Sequence, residues 1–161
     1  MNVRTKLASN MAISMLSLVI VIGFLLHIFV IPILSQELEA TYVEYRGDRL
    51  TIQFLLSGIV GFGQIALALV VYLLVRIKRK LLLEPKSANA VRLLIGVFSA
   101  LALGIACLLA WLIGQNTLPP ALLIFLALSI LLVSTIALVV IALLAVLKEA
   151  IFNREELAGV I

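Results

Sequence analysis

Four stretches of this chain, 9–34, 50–75, 93–113 and 121–147, contain no Lys, Arg, Asp or Glu. Each reaches or exceeds the ~20 apolar residues that an α-helix needs to cross a bilayer. A helix that is apolar all round cannot face water, so it is either buried in a large core or surrounded by lipid. The chain has only 161 residues, of which 65% are hydrophobic and 12% charged, against about 45–50% and 25% in soluble domains. A soluble fold of this size buries too little of its surface to hide so much apolar material. The expected fold is an all-α integral membrane protein, a four-transmembrane-helix bundle in one membrane domain.

The first stretch follows Arg4 and Lys6. It is far longer than the ~7–15-residue apolar core of a secretory signal, so it reads as a signal-anchor helix. Orientation follows from the cations. Of 12 Lys and Arg, only Arg46 and Arg49 lie in the link 35–49, and the turn 114–120 has none. The rest fall at the N-terminus, in the link 76–92, or in the tail 148–161. The positive-inside rule places those segments in the cytoplasm, giving an N-in/C-in multi-pass protein. Trp111, Tyr42 and Tyr45 then fall near the outer interface and Tyr72 near the inner one, as aromatic belts do.

The outer link carries its own pattern. Ser35 is a candidate cap, Glu37 and Glu39 fall in a first turn, Arg46 in a last turn, and Gly47 at a stop. Leu38, Tyr42 and Tyr45 are spaced i, i+4, i+7, one face of a short helix over 36–46. Pro32 separates that helix from the first span. An irregular solvated loop is the alternative. If helical, the Leu38–Tyr42–Tyr45 face is the candidate outer partner surface. In the inner link Pro85 breaks the chain, and Ser87 is placed to cap the third span.

Polar residues inside apolar spans are the first place to seek chemistry. His27 in the first span and Gln53, Ser57 and Gln64 in the second are the candidates. The three on the second span fall within about 40° of one another at ~100° per residue, with Gly61 beside them, and Gly61 and Gln64 are candidate helix-packing residues. They form either a polar pathway or inter-helix hydrogen bonds. The hydrogen-bonding reading is favoured, because a pathway normally also needs an ionisable group. Gly96, Ala100 and Gly104 step by four along the third span, a small-residue stripe that permits close helix approach. Gly104 and Gln64 lie at similar depth, so the second and third spans are expected to touch there. Arg76, Lys78, Arg79 and Lys80 are candidate contacts for anionic lipid headgroups, besides setting topology.

One Cys, Cys107, and one His support neither an intrachain disulfide nor a zinc or iron–sulfur site. No catalytic, cofactor or metal motif is present, and no nucleic-acid-reading module. The expected function is non-enzymatic: a regulatory, immunity or accessory protein working through protein contacts. The partners are the lipid bilayer and either a second copy or a membrane or regulatory protein. A small oligomeric transporter or channel is the alternative.

The four-span plan, Pro32 at the end of the first span, the link Pro85-Lys86-Ser87-Ala88, and a tail with Leu147-Lys148-Glu149-Ala150, Glu155-Glu156-Leu157 and Val160-Ile161 resemble DUF2975, a family of bacterial four-span membrane proteins. The likeness is to its actinobacterial members. It implies the same architecture, multi-pass in a bacterial cytoplasmic membrane, and no known activity. Some members accompany small helix-turn-helix regulators, which implies a regulatory partner.

Overall fold

The computed structural model describes residues 3–116, 118 and 120–159. Pro119, Val160 and Ile161, and the side chains of Arg4, Lys6, Glu155 and Glu156, lie outside that description. All described regular structure is helical: α1 (Val3–Leu25), α2 (Ile31–Thr41), α3 (Arg49–Lys78), α4 (Pro85–Gly114) and α5 (Pro120–Gly159). The four apolar stretches lie inside four helices long and apolar enough to cross a membrane, α1 and α2 together making one of them.

The first of these does not break at Pro32. A π-helical turn, Leu26–Val30, joins α1 to α2, and the rod runs on to Thr41. Proline lacks an N–H and crowds the carbonyl four residues back. One wider turn, in which Ile31 N–H donates to Leu26 O, absorbs that misfit without ending the helix. Ser35 is therefore no N-cap. It is fully buried, and its hydroxyl donates back to Pro32 O at 2.9 Å.

The expected helix over 36–46 is corrected in the same way. Helical geometry ends at Thr41, Tyr42 is extended, and Val43–Tyr45 forms a single 3-10 turn. Arg46 is extended and Gly47 is left-handed, with φ +88. The acids act differently from the helix-start role expected of them: Glu39 Oε1 accepts the Gly47 N–H at 3.0 Å and clips the link to α2.

Packing follows chain order. The α1–α2 rod lies on α3, α3 on α4, and α4 on α5, and no other pair of elements packs extensively among the described residues. The central helix α4 carries most of the buried positions, including Ser87, Val91, Leu94, Val97, Ile105 and Leu112. Two apolar clusters hold it: Ala66, Leu94 and Val97 towards one end, and Ile105, Leu112 and Leu126 towards the other. The outward faces stay apolar, as at Met15 and Leu18 of α1 and Leu131 and Leu138 of α5. The total surface, 10620 Å², exceeds the roughly 7,900 Å² expected of a compact soluble chain of this mass.

The α3–α4 link is the tightest polar closure. At the end of α3, Leu81 N–H reaches Arg76 O (2.9 Å) and Lys80 N–H reaches Ile77 O (3.0 Å), with Lys80 at φ 59. This is a Schellman stop with lysine where glycine is usual. Arg76 is 8% exposed. Its Nε donates to Ser87 Oγ (2.7 Å), Nη1 to Tyr72 OH (3.1 Å), and Nη2 to both Leu81 O (3.1 Å) and the Glu84 carboxylate. Ser87 is therefore no cap either. Pro85 begins α4, at the first position where its missing N–H costs nothing. Ser87, fully buried, receives Arg76 and donates to Leu81 O.

Two outcomes follow for this end. Arg76→Ala should lower the melting temperature of the detergent-purified protein, and Arg76→Lys should restore little, because a point ammonium cannot serve acceptors spread around a fork. Lys80→Gly should raise stability by about 1 kcal/mol by removing left-handed strain at a non-glycine. Thermal melting checks both.

Candidate functional site

Three places bring the chain's polar residues together, and they differ in what they can do.

The first lies within the apolar part of the helices. A Cβ added to Gly23 would stand 2.8 Å from Gln64 Nε2, so glycine admits the Gln64 amide against the backbone of α1. His27 is one turn further along the same helix, inside the π-helical turn. Among the described residues, His27 Nδ1 and Gln64 Nε2 are the buried side-chain nitrogens with no hydrogen-bond partner. Gln53 and Ser57 are half-buried on the stripe of α3 that carries Gln64. The structure turns Gln64 towards α1, while the second and third spans touch at Gly104, as the shared depth had suggested, without Gln64. Gly104 meets α3 elsewhere, with its would-be Cβ 3.6 Å from Ile59 Cγ1. Gly61 and Gly96 face open space, with nothing within 4 Å of an added Cβ. They make no close helix approach, so the small-residue stripe works only at its Gly104 end. Ala100 and Gly104 line a shallow apolar groove with Gly58, Phe62 and the exposed Cys107.

The second place is the Arg76 end. Arg76 is withdrawn from the basic cluster by its four acceptors. Lys78 Nζ donates to Asn10 Oδ1 at 2.7 Å, tying α3 to α1, while Arg79 and Lys80 are exposed. Of the candidate headgroup contacts, these last two keep charges free of other described side chains.

The third is the opposite end, where α2, the 42–48 link, α4 and α5 converge. Tyr45 stacks on Trp111, with centroids 5.7 Å apart and planes 24° apart, and Tyr42 meets Tyr45 edge-on at 5.9 Å. The chain brings Leu38, Tyr42 and Tyr45 together although they are not one helical face. Asp48 precedes α3 and is a residue type that normally caps its own helix. Its Oδ2 instead accepts from Gln115 Nε2 at 3.1 Å, pinning the link to the end of α4. Asn116, left-handed at φ 53, stops α4 there, a place where asparagine substitutes for glycine.

Two cavities open beside this aromatic stack. A cleft of about 630 Å³ is lined by Leu38, Tyr42, Glu44, Tyr45, Gln115 and Asn116. A slot of about 210 Å³ runs among the helices, with Leu34, Ile52, Leu56, Leu108, Trp111 and Leu126 on its walls. Leu38, Tyr45 and Leu122 line both, so the two adjoin. No group of three or more His, Cys, Asp or Glu able to hold a metal ion occurs among the described residues.

Sequence reasoning missed Gly23, the Arg76 hub and the Asp48–Gln115 tie. Gly23 had a readable signal, a small residue one turn from the lone histidine. The other two join residues whose proximity only the turns create.

Comparison with family models, curated proteins and solved structures finds no match for this chain. The likeness to DUF2975 therefore stays with the short motifs that carry it.

Two substitutions separate these packing roles. Gly104→Leu should cost about 1–3 kcal/mol by overfilling the contact with Ile59, whereas Gly96→Leu should be nearly neutral. Gln64→Leu should change stability by no more than about 1 kcal/mol, since the Nε2 donor it removes has no partner to lose. Denaturation in detergent tests all three.

Proposed function

We propose that this chain is a multi-pass protein of a bacterial cytoplasmic membrane, inserted N-in/C-in, that acts without catalysis through contacts made at its outer end. Insertion is supported by the surface: exposed side chains along all four rods are large and apolar, and only hydrocarbon surrounds such faces without cost. Orientation is supported by the cations, which crowd the ends carrying Arg76, Arg79, Lys80 and Lys148.

The observation that carries the contact role is the Tyr42–Tyr45–Trp111 stack beside the open cleft. Tyrosine and tryptophan are enriched where partners bind, because they present large rigid area at low entropic cost. Asp48, Gln115 and Glu39 hold the link in place beneath them, so the surface is preorganised. The resemblance to DUF2975 supports a regulatory partner by analogy of plan alone. A small oligomeric transporter is the second reading; the unpartnered His27 and Gln64 nitrogens favour it, and the absence of any carboxylate in 50–75 or 9–34 weighs against proton coupling.

Single cysteines in a Cys107→Ser background test the orientation. Glu44→Cys should react with an impermeant thiol reagent in intact cells, and Lys86→Cys only after lysis; the reverse pattern would overturn it. A photoreactive residue in place of Tyr42 should give one discrete protein adduct in living cells. Adducts with lipid alone would defeat the protein-contact role.

A further inference from the structure

We propose that the adjoining cleft and slot at the Trp111 end form one binding site for an amphiphile with an ammonium head and a hydrocarbon tail. The inference rests on the reading that this end lies at a membrane–water boundary.

The two cavities differ sharply in chemistry yet share walls. The slot is lined entirely by apolar and aromatic side chains, Leu34, Leu56, Leu108, Trp111 and Leu126 among them. Its 210 Å³ holds about seven groups the size of a water or a methylene, at ~30 Å³ each. It offers no polar partner to water, so an apolar chain is its natural occupant. The cleft is polar where the slot is not. It presents the Tyr42 ring, the Glu44 carboxylate and the amides of Gln115 and Asn116. A ligand must therefore be apolar at one end and polar at the other. Leu38, Tyr45 and Leu122, which line both cavities, mark the passage between its two parts.

The charge of the head follows from the lining. Among the described residues, Glu44 is the only charged one on the cleft wall, and it has no ion-pair partner. No described Lys or Arg lines the cleft to neutralise a lone phosphate. A carboxylate beside the exposed Tyr42 ring suits an organic cation, which an aromatic face attracts as the carboxylate does. Gln115 spends its Nε2 on Asp48, which leaves its carbonyl oxygen free to accept from an ammonium N–H. The lateral side of the slot lies between Leu34 and Leu38 of α2 and Leu122 and Leu126 of α5, two elements that do not pack extensively on each other. A chain could enter there from the surrounding leaflet, and a water-borne amphiphile could enter through the cleft.

Trp111 is the only tryptophan, and it lines the slot, so its fluorescence reports occupancy directly. The full chain would be placed in phosphatidylglycerol nanodiscs. A small fraction of phosphatidylethanolamine brominated high in one chain would be added, or the same fraction of brominated phosphatidylglycerol. The ammonium lipid should quench Trp111 at least twofold more than the glycerol lipid. Glu44→Gln should erase that preference, and Leu122→Phe should reduce quenching by both, each with wild-type helicity and melting. In a second arm, dodecylammonium below its micellar concentration, a water-borne amphiphile with the same ammonium N–H donors, should relieve the quenching; methylammonium, which lacks a tail, should not. Equal quenching by the two lipids, unchanged by Glu44→Gln, would mean ordinary surrounding lipid and would overturn the site. Absence of quenching by either lipid would overturn the membrane placement of this end as well.

Discussion

The helices of this chain are apolar on nearly every side, and that constraint governs how they can be held together. In the proposed bilayer, burial supplies little preference for one contact between such rods over another, so packing fit and a few hydrogen bonds would decide the arrangement. The described contacts obey this. Each rod packs on its neighbour in sequence, the two buried clusters are small, and α4 alone is substantially enclosed. Polar fastening is concentrated at the helix ends, where the chain leaves regular geometry and backbone groups need partners.

The two ends are fastened in different ways, and the difference bears on what each can do. At the Arg76 end one guanidinium draws in Tyr72, Leu81 O, Glu84 and Ser87. Removing a partner there would strand buried polar groups, which is the costly direction of such networks. At the Trp111 end the fastenings are fewer and lie at the rim, Gly47 to Glu39 and Gln115 to Asp48. They hold the link in place while leaving a cleft and a slot beside the aromatic stack. A densely bonded end suits structural fastening, and a braced end with cavities beside it suits recognition.

Between the ends, the π-helical turn at Leu26–Val30 is the one irregularity in an otherwise regular rod. Pro32 explains its presence, and the extra residue in the turn sets which face His27 presents. The orphaned nitrogens of His27 and Gln64 sit beside it. Unpartnered buried polar atoms are rare in native structures and mark strain or an absent partner. Here they lie next to the only backbone adjustment the rod makes.

The four rods could be read from residue types alone, because a charge-free run of more than ~20 apolar residues admits few other conformations. So could the aromatic grouping by depth, which the Tyr42–Tyr45–Trp111 stack at one end and Tyr72 at the other express in space. Local signals failed where a neighbouring element competes for the same group. Ser35, Ser87 and Asp48 are all cap-forming types placed before or near helix starts, yet none caps: Ser35 turns back to Pro32 O, Ser87 serves Arg76, and Asp48 serves Gln115. Pro32 was a break by propensity and became a π-turn because an apolar rod gains by continuing. Spacing placed Gly61 and Gly96 on packing faces, but only the mutual rotation of α3 and α4 decides which glycines meet a neighbour, and it chose Gly104. Residue type and order determined that there are four apolar helices and where they lie. The tertiary structure decided which polar atoms find partners and which end stays open, because those depend on groups far apart in the chain arriving within hydrogen-bonding distance.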